Sequence, residues 1–136
     1  MLQAMNTGHE GSMTTIHANT SRDALKRLEQ MVSMAGMATT VSSIRGQIAS
    51  AITIVIQLQR LPDGKRRVLS VSEIVGMDGE AIQLQEIYKF VKDYTDDSGN
   101  IHGSFRATGV RPNFLKELKA YGIDLPAANF DATRPL

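Results

Sequence analysis

An α/β fold is what this sequence predicts: helices flanking an antiparallel β-meander. Three observations predict it. Apolar residues recur at helical spacing from about residue 24 to residue 48, the spacing drops to two from residue 52, and two Asp-Gly turns cut the alternating stretch into pieces.

The elements follow in order. "MLQAMNT" has helix formers and then Gly8, and is expected to be the last two turns of a helix. A domain that opens on the end of a helix points to something upstream. "SMTTIHA" (12–18) is short and rich in Thr and Ile, which predicts a strand. Thr20 with Asp23 three residues on is a capping-box pattern. It opens a helix to about Ala35 with Ala24, Leu25, Leu28, Met31, Val32 and Ala35 on a core-facing side, stopped by Gly36. The methionines need no cofactor to explain them. "TTVSSIRGQIASA" reads as a second helix with Val41, Ile44 and Ile48 inward, weakened by Gly46. In "ITIVIQLQR", Ile52, Ile54, Ile56 and Leu58 alternate with Thr53, Val55, Gln57 and Gln59, a half-buried strand. "LPDGK" is a hairpin turn, "RRVLSVSEIVG" a second strand, "MDGE" another turn and "AIQLQEIYKFV" a third strand. "KDYTDDSGN" reads as a loop, "GSFRATG" as a short strand, "RPNFLKELKAYG" as a capped amphipathic helix, and the tail "IDLPAANFDATRPL" as irregular. The meander is expected over 52–92, inside a first region of 1–110 that also holds residues 8–20. Residues 111–136 form a helix and tail.

Composition narrows the function classes. The 136 residues suit one domain, and 42% hydrophobic with 21% charged is ordinary for a globular chain. A formal net charge of +1 gives no electrostatic reason to expect a nucleic-acid partner. The absence of cysteine excludes disulfides and thiolate metal sites. No apolar run approaches the roughly 18 residues needed to span a bilayer, and the N-terminus lacks the pattern of a secretory signal. A soluble chain is expected.

The stretch "GHEGSMTTIHANT" (8–20) concentrates the candidate chemistry. A zinc-protease helix motif fails, because after His9-Glu10 the second histidine would stand where Met13 is. His9, His17 and His102 have no metal-ligand spacing, there is no nucleophile elbow, and the one Gly-Lys pair (Gly64-Lys65) lies in a hairpin turn rather than in a phosphate loop. Two readings remain. Thr14, Thr15 and His17 could donate hydrogen bonds to a γ-phosphate or orient a water at a strand end, where open α/β sheets bind ligands. Alternatively His17 is a buried residue bonded to backbone and His9 sits in a solvated loop. Spacing alone favours the second.

"TGHEGSMTTIHANTSRDALKRLEQMVSMAG" resembles the histidine box and following helix of the ATPases of type II and type IV secretion and pilus assembly. "IRGQIASAITIVIQLQRLPDGKRRVLSVSEIVGMDGEAIQLQEIYKF" resembles their CpaF-like, tight-adherence branch, and "FRATGVRPNFLKELKAYGIDLP" looks like their C-terminal end. The resemblance implies the C-terminal part of a RecA-like P-loop NTPase domain, working as a homohexamer on ATP and Mg, peripheral on the inner membrane and coupled to secretion or pilus platform proteins, with no nucleic acid. "MLQAMNTGH" looks like the helix after the Walker B strand. The phosphate loop and Walker B would then lie outside this chain, leaving it inactive alone and unable to hold nucleotide tightly. By position His17 matches the second box histidine, with a sensing or water-orienting catalytic role. His9 matches the first, in support, and Thr14 and Thr15 the hydroxyl pair on the γ-phosphate side. Arg27 and Arg45 match basic positions, for which helix-surface salt bridges are expected. Thr53 stands where the branch would have Asp. The rival reading is a non-catalytic interaction or regulatory module derived from such an ATPase.

Overall fold

The computed structural model describes residue 2, residues 11–36 and 39–134, and residue 136. Its elements are α1 (Ser21–Met34), α2 (Val41–Ala51), β1 (Ile54–Arg60), β2 (Arg66–Asp78), β3 (Ala81–Thr95), β4 (Ile101–Ala107) and α3 (Leu115–Ala120), then a 3-10 turn at Ala127–Phe130. The strands form one sheet in the order β1-β2-β3-β4. The meander therefore has four strands, not three. β3 continues to Thr95, so the expected loop contracts to Asp96–Asn100, and the short strand predicted from "GSFRATG" is β4. No strand forms at 12–18, where the described residues make no ladder. Thr and Ile propensity cannot make a strand without a neighbour to pair with.

The chain divides into two compact units, residues 1–53 with 74–84, and residues 54–73 with 85–136. In the first, Thr20 caps α1 by accepting from the Asp23 N–H, and Thr40 caps α2 by accepting from the Ser43 N–H, both at 3.1 Å. Leu25, Leu28, Ile44, Ile48, Ala51, Ile74 and Ile82 are buried there, with Ile48 fully so. The core faces are narrower than the periodicity predicts: Met31 and Val41 are about half exposed at 54% and 49%. Each lies at a helix position one turn away from the Leu and Ile pairs that carry the burial. Arg45 on α2 holds Glu29 on α1 through Nε (2.7 Å) and Nη2 (3.3 Å), and donates through Nη1 to the Glu80 carbonyl (3.0 Å). This bidentate pair is the salt bridge expected of Arg45.

In the second unit the "LPDGK" turn forms as predicted. Gly64 takes φ +81° and its N–H donates to the Leu61 carbonyl. β1 pairs with β2 from Ile54↔Glu73 to Arg60↔Arg66, slipping one residue between Gln57 and Leu58. Alternation is present, but burial does not follow it: Ile54, Ile56 and Leu58 are 42–63% exposed while Gln57 is buried. β1 is an edge strand, and no described residue covers the outer part of its apolar face. The tail is not irregular throughout. Phe130 is buried, and Tyr88 stacks on Phe105, packs at a tilt against Phe130 and donates its hydroxyl to the Asn129 carbonyl. The predicted C-terminal helix is only six residues long, with Tyr121 exposed and Gly122 at φ +78° ending it.

Candidate functional site

Residues 11–18 run without helix or strand assignment into the cap of α1. Thr14, Thr15 and His17 are all exposed, and Met13 is 96% so. That excludes His17 as a core histidine held by buried partners. Its imidazole and the two hydroxyls stand in solvent, and the segment is tied to α1 at the backbone: Arg27 Nη1 donates to the His17 carbonyl at 2.9 Å. Arg27 thus serves a main-chain acceptor rather than the expected salt bridge. Three residues on, the Thr20 hydroxyl donates to Asp23 Oδ2 (2.8 Å), and the Ala24 N–H donates to the Thr20 carbonyl (2.9 Å). The entry into α1 is fixed at both ends of a four-residue stretch, and Leu25 and Leu28, which flank Arg27, are buried. His9 lies outside the described residues.

The chemistry open to this segment is hydrogen-bond donation and proton handling. Threonine hydroxyls can donate and accept, and the two imidazole nitrogens can donate or accept. The described residues contain no group of three His, Asp or Glu side chains able to hold a metal ion. Thr53, the position where Asp was expected, is exposed, and its carbonyl accepts from the Ile74 N–H.

Three polar clusters in the second unit were not anticipated, and each is committed to holding the fold. Glu73, 2% exposed, accepts from Gln85 Nε2 (2.6 Å) and from the backbone N–H groups of Asn113 (2.9 Å) and Phe114 (2.7 Å). A lone carboxylate inside "SVSEIVG" was the available signal, since an unpaired buried charge is too costly to keep. Asp63 takes Arg67 bidentately at 2.8 and 2.9 Å and accepts from the Lys65 and Ile101 N–H groups. The Arg67 guanidinium, against the opposing cost of burial, holds the Asp63 carboxyl well below the usual range. Arg67 also lies over the Phe90 ring, 5.4 Å from its centre. His102 is engaged with Asp96 at 2.8 Å and stacked on Tyr94 at 4.6 Å, which accounts for it without a ligand. The His102 ring, then the Asn100 N–H, hold the Asp96 carboxyl down to about 2.

Comparison with known proteins completes the description of the site. The chain is 35% identical over 93 residues to the conjugal transfer protein TrbB of Rhizobium radiobacter, covering 68% of this chain and 27% of that one. It is 36% identical over 72 residues to the type IV secretion system protein VirB11 of Bartonella henselae, covering 52% of this chain and 20% of that one. The chain spans less than a third of the length of the curated relatives it matches. A family profile described as Type II/IV secretion system protein matches residues 1–103, which include the whole Thr14–His17 segment and the sheet as far as β4. This chain belongs to that type II/IV secretion system protein family.

Proposed function

We propose that the chain is the C-terminal part of an ATP-hydrolysing motor for type II/IV secretion or pilus assembly, of the CpaF-like branch, with a RecA-like fold in the complete protein. The observation that carries the proposal is the exposed donor row Thr14, Thr15 and His17 on the family-matched segment that enters α1. In this reading Thr14 and Thr15 face the γ-phosphate, His17 senses it or orients the attacking water, and His9 supports His17. These donors fit one end of a triphosphate and not a whole nucleotide. They are neutral or weakly basic, and nothing in the sequence supplies the lysine and nest of backbone donors of a phosphate loop. The bulk of ATP binding, with the magnesium ligands, falls to residues of a longer polypeptide. Magnesium, when bound there, neutralises charge on the β- and γ-phosphates. The exposed β1 stripe of Ile54, Ile56 and Leu58 further supports the reading, as a face suited to burial in a larger domain. A homohexamer acting on inner-membrane platform proteins is the corresponding assembly, with the motor on the cytoplasmic side.

Sequencing the DNA directly upstream tests the proposal. An in-frame phosphate loop followed by a Walker B strand is expected. A ribosome-binding site and true start at Met1 would instead favour a non-catalytic module derived from such an ATPase.

A further inference from the structure

Arg27 is exposed on the second turn of α1, and its guanidinium reaches ten residues back along the chain. It does not meet an acid there. It donates through Nη1 to a backbone carbonyl, and the carbonyl belongs to His17. A main-chain acceptor on that one residue has a geometric consequence. The bond holds the carbonyl and restrains the 17–18 peptide plane, which contains the His17 Cα. The imidazole leaves from the same Cα. Once the plane is tied to the helix, the His17 Cα is held in place relative to α1, and the imidazole moves only by rotation about the Cα–C bond and the side-chain torsions. The helix end of the tie is firm, because Leu25 and Leu28 are buried on either side of Arg27. The cap at Thr20 fixes the chain on the other side of the turn.

We propose that Arg27 is the positioning residue of the histidine box: it places His17 by holding the His17 carbonyl, without itself touching phosphate. The inference rests on the γ-phosphate reading of His17 given above. Arginine suits the task because its planar fork loses less freedom per bond than an ammonium on a flexible stem, while lysine can still reach a carbonyl with one donor.

Two measurements test it. In this 136-residue chain, backbone ¹⁵N relaxation on Arg27→Ala should show order parameters at residues 15–18 falling from near 0.85 to below about 0.6. The amides of residues 24–34 and the melting temperature should stay as in the wild type, and Arg27→Lys should restore most of the order. Unchanged order at 15–18 in Arg27→Ala, or a general loss of order along α1, would overturn the proposal. In the longer polypeptide, Arg27→Ala should lower kcat for ATP about tenfold with KM unchanged, and Arg27→Lys should recover more than half of the loss. A raised KM with no recovery by lysine would mean that Arg27 binds phosphate directly, and would sink the positioning role. The His17→Ala variant, run beside it, separates the two failures. If His17→Ala slows turnover and Arg27→Ala does not, the Arg27 proposal alone fails. If His17→Ala leaves turnover unchanged, the γ-phosphate reading fails and takes the Arg27 proposal with it.

Discussion

At the residue scale, exposure separates the side chains available for function from those that hold the fold. His17 is exposed, so His17→Ala should leave the melting temperature of this chain within about 1–2 °C of the wild type, as surface changes away from special features do. Glu73 is the opposite case. Glu73→Ala strands three donors in part-buried bonds, at Gln85, Asn113 and Phe114, and should cost about 3 kcal/mol in a urea titration. Asp96 supplies a pH test. Its folded pKa is depressed to about 2, so its contribution to stability is present above the ordinary carboxylate value near 4 and is lost as pH falls from there toward 2. Melting scans should show wild type more stable than Asp96→Asn at pH 5, with the gap closing by pH 2; a constant gap would contradict the assignment. That Thr14, Thr15 and His17 are polar donors was legible in the sequence, because that property is carried by residue type. The partners of Arg27 and Glu73 were not, since no periodicity reports which carbonyl or amide a side chain reaches ten or forty residues away.

At the scale of elements, periodicity placed both α1 and α2 and the first three strands, and the turns followed from Asp-Gly pairs. What it did not give was coverage. Alternation marks which residues of β1 share a face, but whether that face is covered depends on what packs there. Ile48 and Leu58 make the contrast measurable. Ile48 is fully buried, and Ile48→Ala should cost about 3 kcal/mol. Leu58 is 63% exposed, and Leu58→Lys should change stability by no more than about 0.5 kcal/mol while reducing self-association on a sizing column. Gly103 carries a different constraint. Lys92 pairs with it in the β3–β4 ladder, and a Cβ there would collide with the Val91 carbonyl oxygen and the Phe90 ring. Gly103→Ala should therefore cost about 2 kcal/mol, because a backbone atom on the neighbouring strand cannot move aside. The strand expected at 12–18 failed for a related reason: its composition suits a sheet, and pairing requires a partner that local sequence does not encode.

At the scale of the whole molecule, the chain presents an exposed row of polar donors, Thr14, Thr15 and His17, and an apolar strand face open to solvent. Alone it should hydrolyse no ATP above background in a phosphate-release assay, since no phosphate loop is present in its sequence. It should behave as a monomer or weak dimer in light scattering, and a stable six-fold species at micromolar concentration would contradict that. The central claim concerns what His17 does in the proposed motor. The most direct test is single-turnover ATP hydrolysis by the longer polypeptide carrying His17→Ala, with ATP affinity measured on the same preparation. Interactions confined to the moment when charge moves on the γ-phosphate affect chemistry more than ground-state binding. The account predicts affinity within a few-fold of wild type and hydrolysis slowed by roughly two orders of magnitude, the scale of losing one well-placed donor or proton-transfer group. Hydrolysis at the wild-type rate per folded molecule would contradict it.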